Sequence, residues 1–340
     1  MKKSLCCISL ELQKSGRRAS TMTKTRFLAL ERTKALSILS SRVVNNLDLT
    51  HDTIKHCIAN NWNYRISSSL FPLATLPDAN LSFDVLPDKA LINATFADIA
   101  QTIANNSIRC SMHPDQFVVP ASANPSVAAK SLVELEHHAL LMDRMGLPRS
   151  YNAPINIHMN CFKGSLPDIA KRFIEAYKTL SEGVQSRLVL ENEDKPNSWN
   201  VEQLYEHIHQ RIGIPITYDN LHHKCNPGHL SAKNAVALAM SSWGKYRPLF
   251  HYSESRGEFG IDKRSHRDTP LKFPVEFVDL DVDLEFEFKL KDYAINFFEM
   301  VIENHVLFQE GTKPNKFSDA YVQMAKNCHE YLLRELPLEN

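Results

Sequence analysis

The feature that most constrains the fold of this 340-residue chain is a repeated sequence event, in which a short apolar segment ends in a polar side chain. Successive gaps between seven of these ends are 46, 45, 33, 28, 32 and 36 residues. Each gap accommodates a helix and a return to the sheet, since a βαβ unit takes about 30 residues. With the first strand included, eight strands that alternate with helices predict an α/β fold, a (β/α)8 TIM barrel. The seven ends are Ser67, His113, His158, Glu191, Asp219, His251 and Glu287.

The predicted barrel occupies residues 1–310, and a helical extension over 311–340 is expected to pack on it. Apolar runs between turn residues predict the strands, which are Leu5–Leu10, Trp62–Ile66, Ile108–Met112, Pro154–Ile157, Arg187–Leu190, Pro215–Asp219, Pro248–Phe250 and Asp281–Phe288. Helical periodicity and terminal Pro and Gly residues predict the helices, which are Arg26–Asn45, Asp84–Asn105, Pro125–Met145, Leu166–Gly183, Asn200–Ile212, Ser231–Ser241 and Tyr321–Leu336.

The charge of the chain is balanced overall but basic near the N-terminus. A formal net charge of zero indicates no long-range field for a polyanion. Within residues 1–50, however, ten Lys and Arg minus three acids leave +7. The loop after the first strand carries Arg17, Arg18 and Lys24, which can bind phosphate groups. A solvated, mobile loop is the alternative interpretation.

The cysteine pattern and the hydropathy indicate where the protein works. Seven cysteines without CxxC spacing favour a reduced, intracellular protein. No run approaches 18 apolar residues, so no membrane span is expected. We expect an intracellular monomer, cytoplasmic and associated with the nucleoid if the source is prokaryotic or viral.

The strand ends of a TIM barrel meet at one face, and the side chains predicted there are metal ligands. Carboxylates separate ions that repel one another, and neutral imidazoles complete the coordination, a mix that suits Mn²⁺, Zn²⁺ or Fe²⁺. Asp219 followed by His222 is also compatible with a simple helix cap beside a polar turn. The candidate ligands are His113, His158, Glu191, Asp219, His222, His251, His266 and Glu287, of which Glu191, Glu287 and Asp219 are the candidate catalytic residues.

A centre with several divalent ions suits two reactions. It can hydrolyse a phosphodiester, because one ion activates water and others neutralise phosphate oxygens, or it can polarise a hydroxy-carbonyl in a sugar isomerase. Gln116 and Phe117 follow His113 and can wedge into a base stack beside flipped nucleotides. A Phe117 ring folded onto the barrel rim is the alternative.

With these residues assembled, the chain resembles the UV damage endonuclease family, TIM-barrel DNA repair enzymes related in fold to endonuclease IV. The resemblance spans most of the chain and rests on the segments YRISSSLFPLATLP (64–77), SMHPDQFVVP (111–120), NIHMNCFKG (156–164), LVLENEDKPNSWNVEQL (188–204), PITYDNLHHKCNPG (215–228), RPLFH (247–251) and EFKLKD (287–292).

The resemblance implies incision of double-stranded DNA immediately 5′ to UV photoproducts, leaving a 3′-hydroxyl and a 5′-phosphate. It also implies two or three divalent ions per chain, commonly Mn²⁺, with Zn²⁺ or Mg²⁺ as alternatives, held at the eight positions named above. Gln116 and Phe117 fall on the pair that probes the strand opposite the lesion, where the second residue is frequently Tyr.

Two positions depart from the family pattern. Leu249 stands where members can carry a carboxylated lysine, and Ser69 where some carry histidine, so a third ion would lack those ligands.

Three alternative functions remain open on the sequence alone. They are an endonuclease IV-like enzyme for abasic sites, a metal-dependent sugar isomerase and a metal-depleted DNA-binding relative.

Overall fold

The computed structural model describes residues 1–299, except 78, 162, 258–261 and 272–273. Eight parallel strands form one sheet in the order β6-β5-β4-β3-β2-β1-β8-β7. They are β1 (Lys3–Cys6), β2 (Asn63–Ile66), β3 (Cys110–Met112), β4 (Ile155–His158), β5 (Leu188–Glu191), β6 (Ile216–Thr217), β7 (Leu249–Tyr252) and β8 (Asp283–Phe286).

The sheet closes on itself between β6 and β7, which confirms the predicted barrel. The closing contact is a single parallel bridge between Asp219 and His251, and the His251 amide donates to the Tyr218 carbonyl at 2.9 Å. Side chains supply further hydrogen bonds to the short β6: the Ser242 hydroxyl accepts from the Ile216 amide, and the Trp243 indole donates to the Ile216 carbonyl.

Helices surround the barrel, and their starts are set by local capping residues. Ser165 and Ser231 cap two of the helices through their hydroxyls, and Asn124 caps a third ahead of Pro125. The helices are α1 (Leu10–Lys14), α2 (Lys24–Leu28), α3 (Arg32–Ala59), α4 (Lys89–Ala104), α5 (Pro125–Arg144), α6 (Leu166–Lys178), α7 (Glu182–Gln185), α8 (Val201–Leu204), α9 (Gln210–Ile212), α10 (Asn220–Cys225), α11 (Ala232–Ser241) and α12 (Lys291–Phe297). A π-helical turn, Tyr205–His209, joins α8 to α9.

The predicted elements near the N-terminus are wrong in their bounds. The first strand ends at Cys6 rather than Leu10, because Cys7 has a left-handed φ of 66° and Ser9 caps α1. The helix predicted over Arg26–Asn45 is two helices, α2 and the 28-residue α3. Propensity alone did not reveal that Glu31 caps a new helix by accepting from two amides.

Elsewhere the corrections are smaller. The helix predicted over Leu166–Gly183 stops at Lys178, and α7 follows as a separate turn. The eighth strand is Asp283–Phe286, shorter at both ends than the predicted one. The predicted helix Tyr321–Leu336 and the extension 311–340 lie outside the described residues. Among the helices that are described, none has the length and apolarity needed to cross a membrane.

Candidate metal centre

All eight predicted ligands lie together at the carboxyl ends of the strands. His158 and Glu191 end β4 and β5, His113 directly follows β3, and His251 is the last residue but one of β7. Asp219 and His222 lie at the start of α10 after β6, His266 lies on the loop after β7, and Glu287 directly follows β8. Every member of this group has a ring nitrogen or carboxylate oxygen within 4.0 Å of such an atom in another member.

Glu191 is the centre of the group and is fully buried. One of its oxygens, Oε2, lies 3.1 Å from Nε2 of His113 and 3.8 Å from Nε2 of His158. The other, Oε1, lies 3.1 Å from Nδ1 of His222 and 3.2 Å from Nδ1 of His251. Each oxygen of this carboxylate faces a different pair of imidazoles, so Glu191 is the residue that connects most of the predicted ligands.

A second set of ligand atoms surrounds His251. Its Nδ1 lies 3.3 Å from Glu287 Oε1 and 4.0 Å from Asp219 Oδ2. His266 lies beyond Glu287, with Nδ1 3.8 Å from Oε2 of that carboxylate. The group therefore continues from β4 across the closing bridge of the barrel to the loop after β7.

Most of these rings have one nitrogen committed to an oxygen that can only accept. His113 donates to the Pro114 carbonyl at 3.1 Å, and His266 to the Glu287 carbonyl at 2.7 Å, each through Nδ1. His222 Nδ1 lies 2.9 Å from the Asn192 carbonyl. Because a carbonyl requires a protonated partner, each of these rings, when neutral, has its lone pair on Nε2, and this is the arrangement that orients metal-ligating histidines in proteins.

The electrostatics of the group call for positive charge. Burial alone would lower the pKa of His251, but Glu191, Glu287 and Glu285 outweigh it and hold that pKa well above its usual value. Burial would raise the pKa of Glu191, but the rings of His158 and His251 keep it well below its usual range.

The pKa values of His222, His158 and Asp219 are shifted in different directions. Asp219 and Glu191 raise the pKa of His222 against the effect of burial. Burial lowers the pKa of His158 to about 3, so this ring is neutral and able to ligate. Burial also raises the pKa of Asp219, and His222 only partly opposes this.

Three buried atoms test whether these residues suit a cation. Glu191 Oε1, Asp219 Oδ2 and His251 Nδ1 have no hydrogen-bond partner within the described part of the chain. Yet ligand atoms of these three residues lie within 4.8 Å of one another. Two carboxylate oxygens and a ring nitrogen are stable together around a positive charge, either a proton on the ring or a metal ion. The donor set fits a divalent transition metal.

Asp219 satisfies both interpretations of its sequence context. Its Oδ1 accepts from the His222 amide at 2.6 Å and caps α10. Its Oδ2 is the atom that faces the ligand group. The cap and the predicted metal site therefore use different oxygens of one carboxylate.

Sequence reasoning missed a layer of polar residues beneath the ligands. Ser111, Asn156 and Glu285 each precede a predicted ligand by two positions in a strand, so they point to the same face of the sheet. Asn156 donates to Glu191 through Nδ2, and Ser111 donates to Glu285. Arg65 on β2 contacts both Glu285 and Glu287. In a strand, residues two positions apart face the same side, and this spacing is the sequence signal that could have identified Ser111, Asn156 and Glu285.

The residues predicted to probe DNA stand on a short turn after β3. Phe117 is 76% exposed. Asp115 holds the turn, since its side chain accepts from the Phe117 amide and its carbonyl from the Val118 amide. The Gln116 carbonyl accepts from Asn160 at 2.6 Å. The alternative in which Phe117 folds onto the rim is therefore wrong for this structure.

The basic loop after β1 contacts helix α3 at two points. Arg17 forms an ion pair with Asp52 of α3, and Asn45 donates to the Arg18 carbonyl. Lys24 is exposed at the start of α2.

Leu249 is buried on β7, and Ser69 is exposed with its carbonyl bonded to Asn46. Neither Leu249 nor Ser69 offers a metal ligand.

Comparison with known proteins places the chain among DNA repair enzymes. The model of the family described as UV-endonuclease UvdE matches residues 2–317. A UV DNA damage endonuclease from Nostoc sp. is 31% identical over 277 residues, which is 79% of this chain and 81% of the relative. One from Bacillus pumilus is 29% identical, over 82% of this chain and 86% of the relative.

Two solved structures are similar in fold. The crystal structure of SacUVDE has a TM-score of 0.74 and 30% identity, covering 88% of this chain and 98% of that one. Endonuclease IV from Thermus thermophilus has a TM-score of 0.55 with 14% identity, covering 88% and 98%, and at that identity the likeness concerns the fold alone.

Proposed function

Because the chain belongs to the UV-endonuclease UvdE family, we propose that it is a DNA repair endonuclease that hydrolyses the phosphodiester immediately 5′ to UV photoproducts. The lesions are pyrimidine dimers and 6-4 photoproducts, and the products carry a 3′-hydroxyl and a 5′-phosphate. The observation that supports this most is the convergence of imidazoles and carboxylates on Glu191 at the strand ends of the barrel.

The proposed cofactor is a group of two or three divalent ions, with Mn²⁺ as the preferred metal and Zn²⁺ or Mg²⁺ as alternatives. Glu191, Asp219 and Glu287 would hold them through their carboxylate oxygens, with Glu191 at the centre of the group. When bound, such ions lower the pKa of a water and neutralise the phosphate oxygens. The remaining nitrogen ligands would be His113, His158, His222, His251 and His266.

The protein's own contribution is to fix and charge these groups before DNA arrives. Carbonyls and Glu285 orient the imidazoles, and Asn156 holds one oxygen of Glu191 in place. Burial removes the water that would otherwise solvate the carboxylates, which strengthens their interaction with any cation. Substrate therefore meets ligands that need little rearrangement, which lowers the cost of reaching the transition state.

The proposed lesion contact is the turn that carries Gln116 and Phe117. An exposed aromatic ring on a hydrogen-bonded turn suits stacking against an unpaired base. Arg17, Arg18 and Lys24 would approach the phosphates, although the Arg17–Asp52 ion pair must then be shared or broken. We expect the enzyme to work inside the cell as a monomer on duplex DNA.

The test is an incision assay with Mn²⁺ on undamaged, abasic and UV-irradiated duplexes. The wild type should nick the irradiated duplex, and Glu191→Gln should not, while its circular dichroism stays unchanged. The matched control is Glu193→Gln, which replaces a buried glutamate two residues away that binds Ser198 and the Asn160 amide instead of the imidazoles. Nicking of irradiated DNA by Glu191→Gln would refute the assignment.

A further inference from the structure

Glu285 lies beneath the predicted ligands and belongs to none of the groups that can hold an ion directly. Its side chain is 1% exposed. Oε2 lies 3.0 Å from Arg65 Nη1 and 3.1 Å from His251 Nε2, and Oε1 accepts from the Ser111 hydroxyl. Three donors therefore converge on one carboxylate inside the barrel.

These contacts determine which nitrogen of His251 keeps its proton when a cation binds. An ionised carboxylate only accepts, so Nε2 faces Glu285 as an N–H donor. The nitrogen that can exchange its proton for a cation is then Nδ1. That atom faces Glu191 at 3.2 Å and Glu287 at 3.3 Å, on the side where the ligands converge.

Arg65 connects this orienting carboxylate to a predicted ligand. Its Nη1 contacts both Glu285 and Glu287, and its side chain is 11% exposed. Strand pairing explains the arrangement, since Arg65 is in register with Ser111, and His251 with Glu285. Two pairs of neighbouring strands, β2 with β3 and β7 with β8, thus contribute to one hydrogen-bonded support.

We propose that Glu285, held by Arg65 and Ser111, is a positioning residue that fixes His251 with Nδ1 available to a metal ion. The other oriented rings use backbone carbonyls for this purpose, whereas His251 uses a charged side chain. A carboxylate partner also raises the basicity of the ligating nitrogen. The inference rests on the proposed metal centre, but not on the reaction that the centre catalyses.

The decisive variant is Glu285→Gln, which keeps the shape but offers His251 both a donor and an acceptor. Full-length protein freed of ions with a chelator is titrated with Mn²⁺ by calorimetry, and the protonation of the His251 ring is followed by nitrogen NMR. We expect one Mn²⁺ to bind about 10- to 100-fold more weakly, and Nε2 of His251 to carry a proton in a smaller fraction of the chelated protein.

The matched control is Asp283→Asn on the same strand and face. Asp283 is also buried, but its partners are Arg109 and Arg247, at the opposite end of the strand. This variant should bind Mn²⁺ like the wild type, even if it unfolds more readily. If Glu285→Gln does not fold, Ser111→Ala removes a donor to the same carboxylate and should weaken Mn²⁺ binding in the same direction.

Two outcomes separate this inference from the proposed function. If the wild type binds Mn²⁺, Glu285→Gln loses affinity and neither nicks irradiated DNA, the positioning role stands and the nuclease assignment fails. If the wild type nicks irradiated DNA while Glu285→Gln keeps both its Mn²⁺ affinity and its His251 protonation pattern, the positioning role is overturned alone.

Discussion

Divalent ions should stabilise the folded protein strongly, because the unfolded chain cannot bring these ligands together. An ion at a hundredfold excess over its Kd contributes about 2.7 kcal/mol, so two ions contribute about 5 kcal/mol. The entropy of unfolding is about 2.1 cal/mol/K per residue, which gives about 0.7 kcal/mol/K for a chain of 340 residues. Saturating Mn²⁺ should therefore raise the Tm by about 8 °C over the chelated protein.

The assay is differential scanning calorimetry of chelated protein across a series of Mn²⁺ concentrations. Glu191→Gln should lose at least half of the rise in Tm, because Glu191 faces four of the imidazoles. Glu193→Gln should keep the full rise, whatever its starting Tm. Equal Mn²⁺-dependent rises in the wild type and in Glu191→Gln would refute the reasoning from convergent ligands.

Two further predictions concern Phe117 on the turn after β3 and the imidazole ring of His137. Phe117→Ala should weaken binding to irradiated duplex about 5- to 150-fold in fluorescence anisotropy, since stacking on a base is worth about 1–3 kcal/mol. The control is Val133→Ala, which removes an exposed apolar side chain on α5 and should leave the binding unchanged. Equal effects of the two substitutions would contradict the stacking role. Burial lowers the pKa of His137 to about 4 from 6.5, so folding excludes a proton and stability falls as the pH drops below 6.5. Between pH 7 and pH 5 the free energy of unfolding of the wild type, measured in urea, should fall by about 2 kcal/mol more than that of His137→Phe. If the two proteins lose stability in parallel as the pH falls, the prediction is wrong.

The sequence predicted the barrel because strand ends recur at spacings that only a few architectures allow. It also predicted which histidines and carboxylates meet, since parallel strands present their carboxyl ends at one face. The ion-binding role of those residues stays a prediction. The first helices were placed wrongly because Glu31, which accepts from two amides at the start of α3, is not a typical capping residue.

The support beneath the site was harder to predict for a physical reason. Ser111, Asn156 and Glu285 have polar side chains at strand positions that usually face an apolar core, and no single one of them signals a function. Their meaning depends on which strand lies beside which. Arg65 is significant only because β2 lies close enough to β8 for its guanidinium to reach two carboxylates.

The single bridge that closes the barrel joins Asp219 to His251, two residues whose side chains are also predicted to hold ions. The closure of the barrel and the predicted metal site consequently depend on the same two residues, so a substitution at either residue disturbs both. Removing the ions should let this bridge open more often, so the His251 amide should exchange with deuterium faster in chelated protein. The Tyr64 amide, bonded to Arg109 across β2 and β3 on the far wall, should exchange at an unchanged rate.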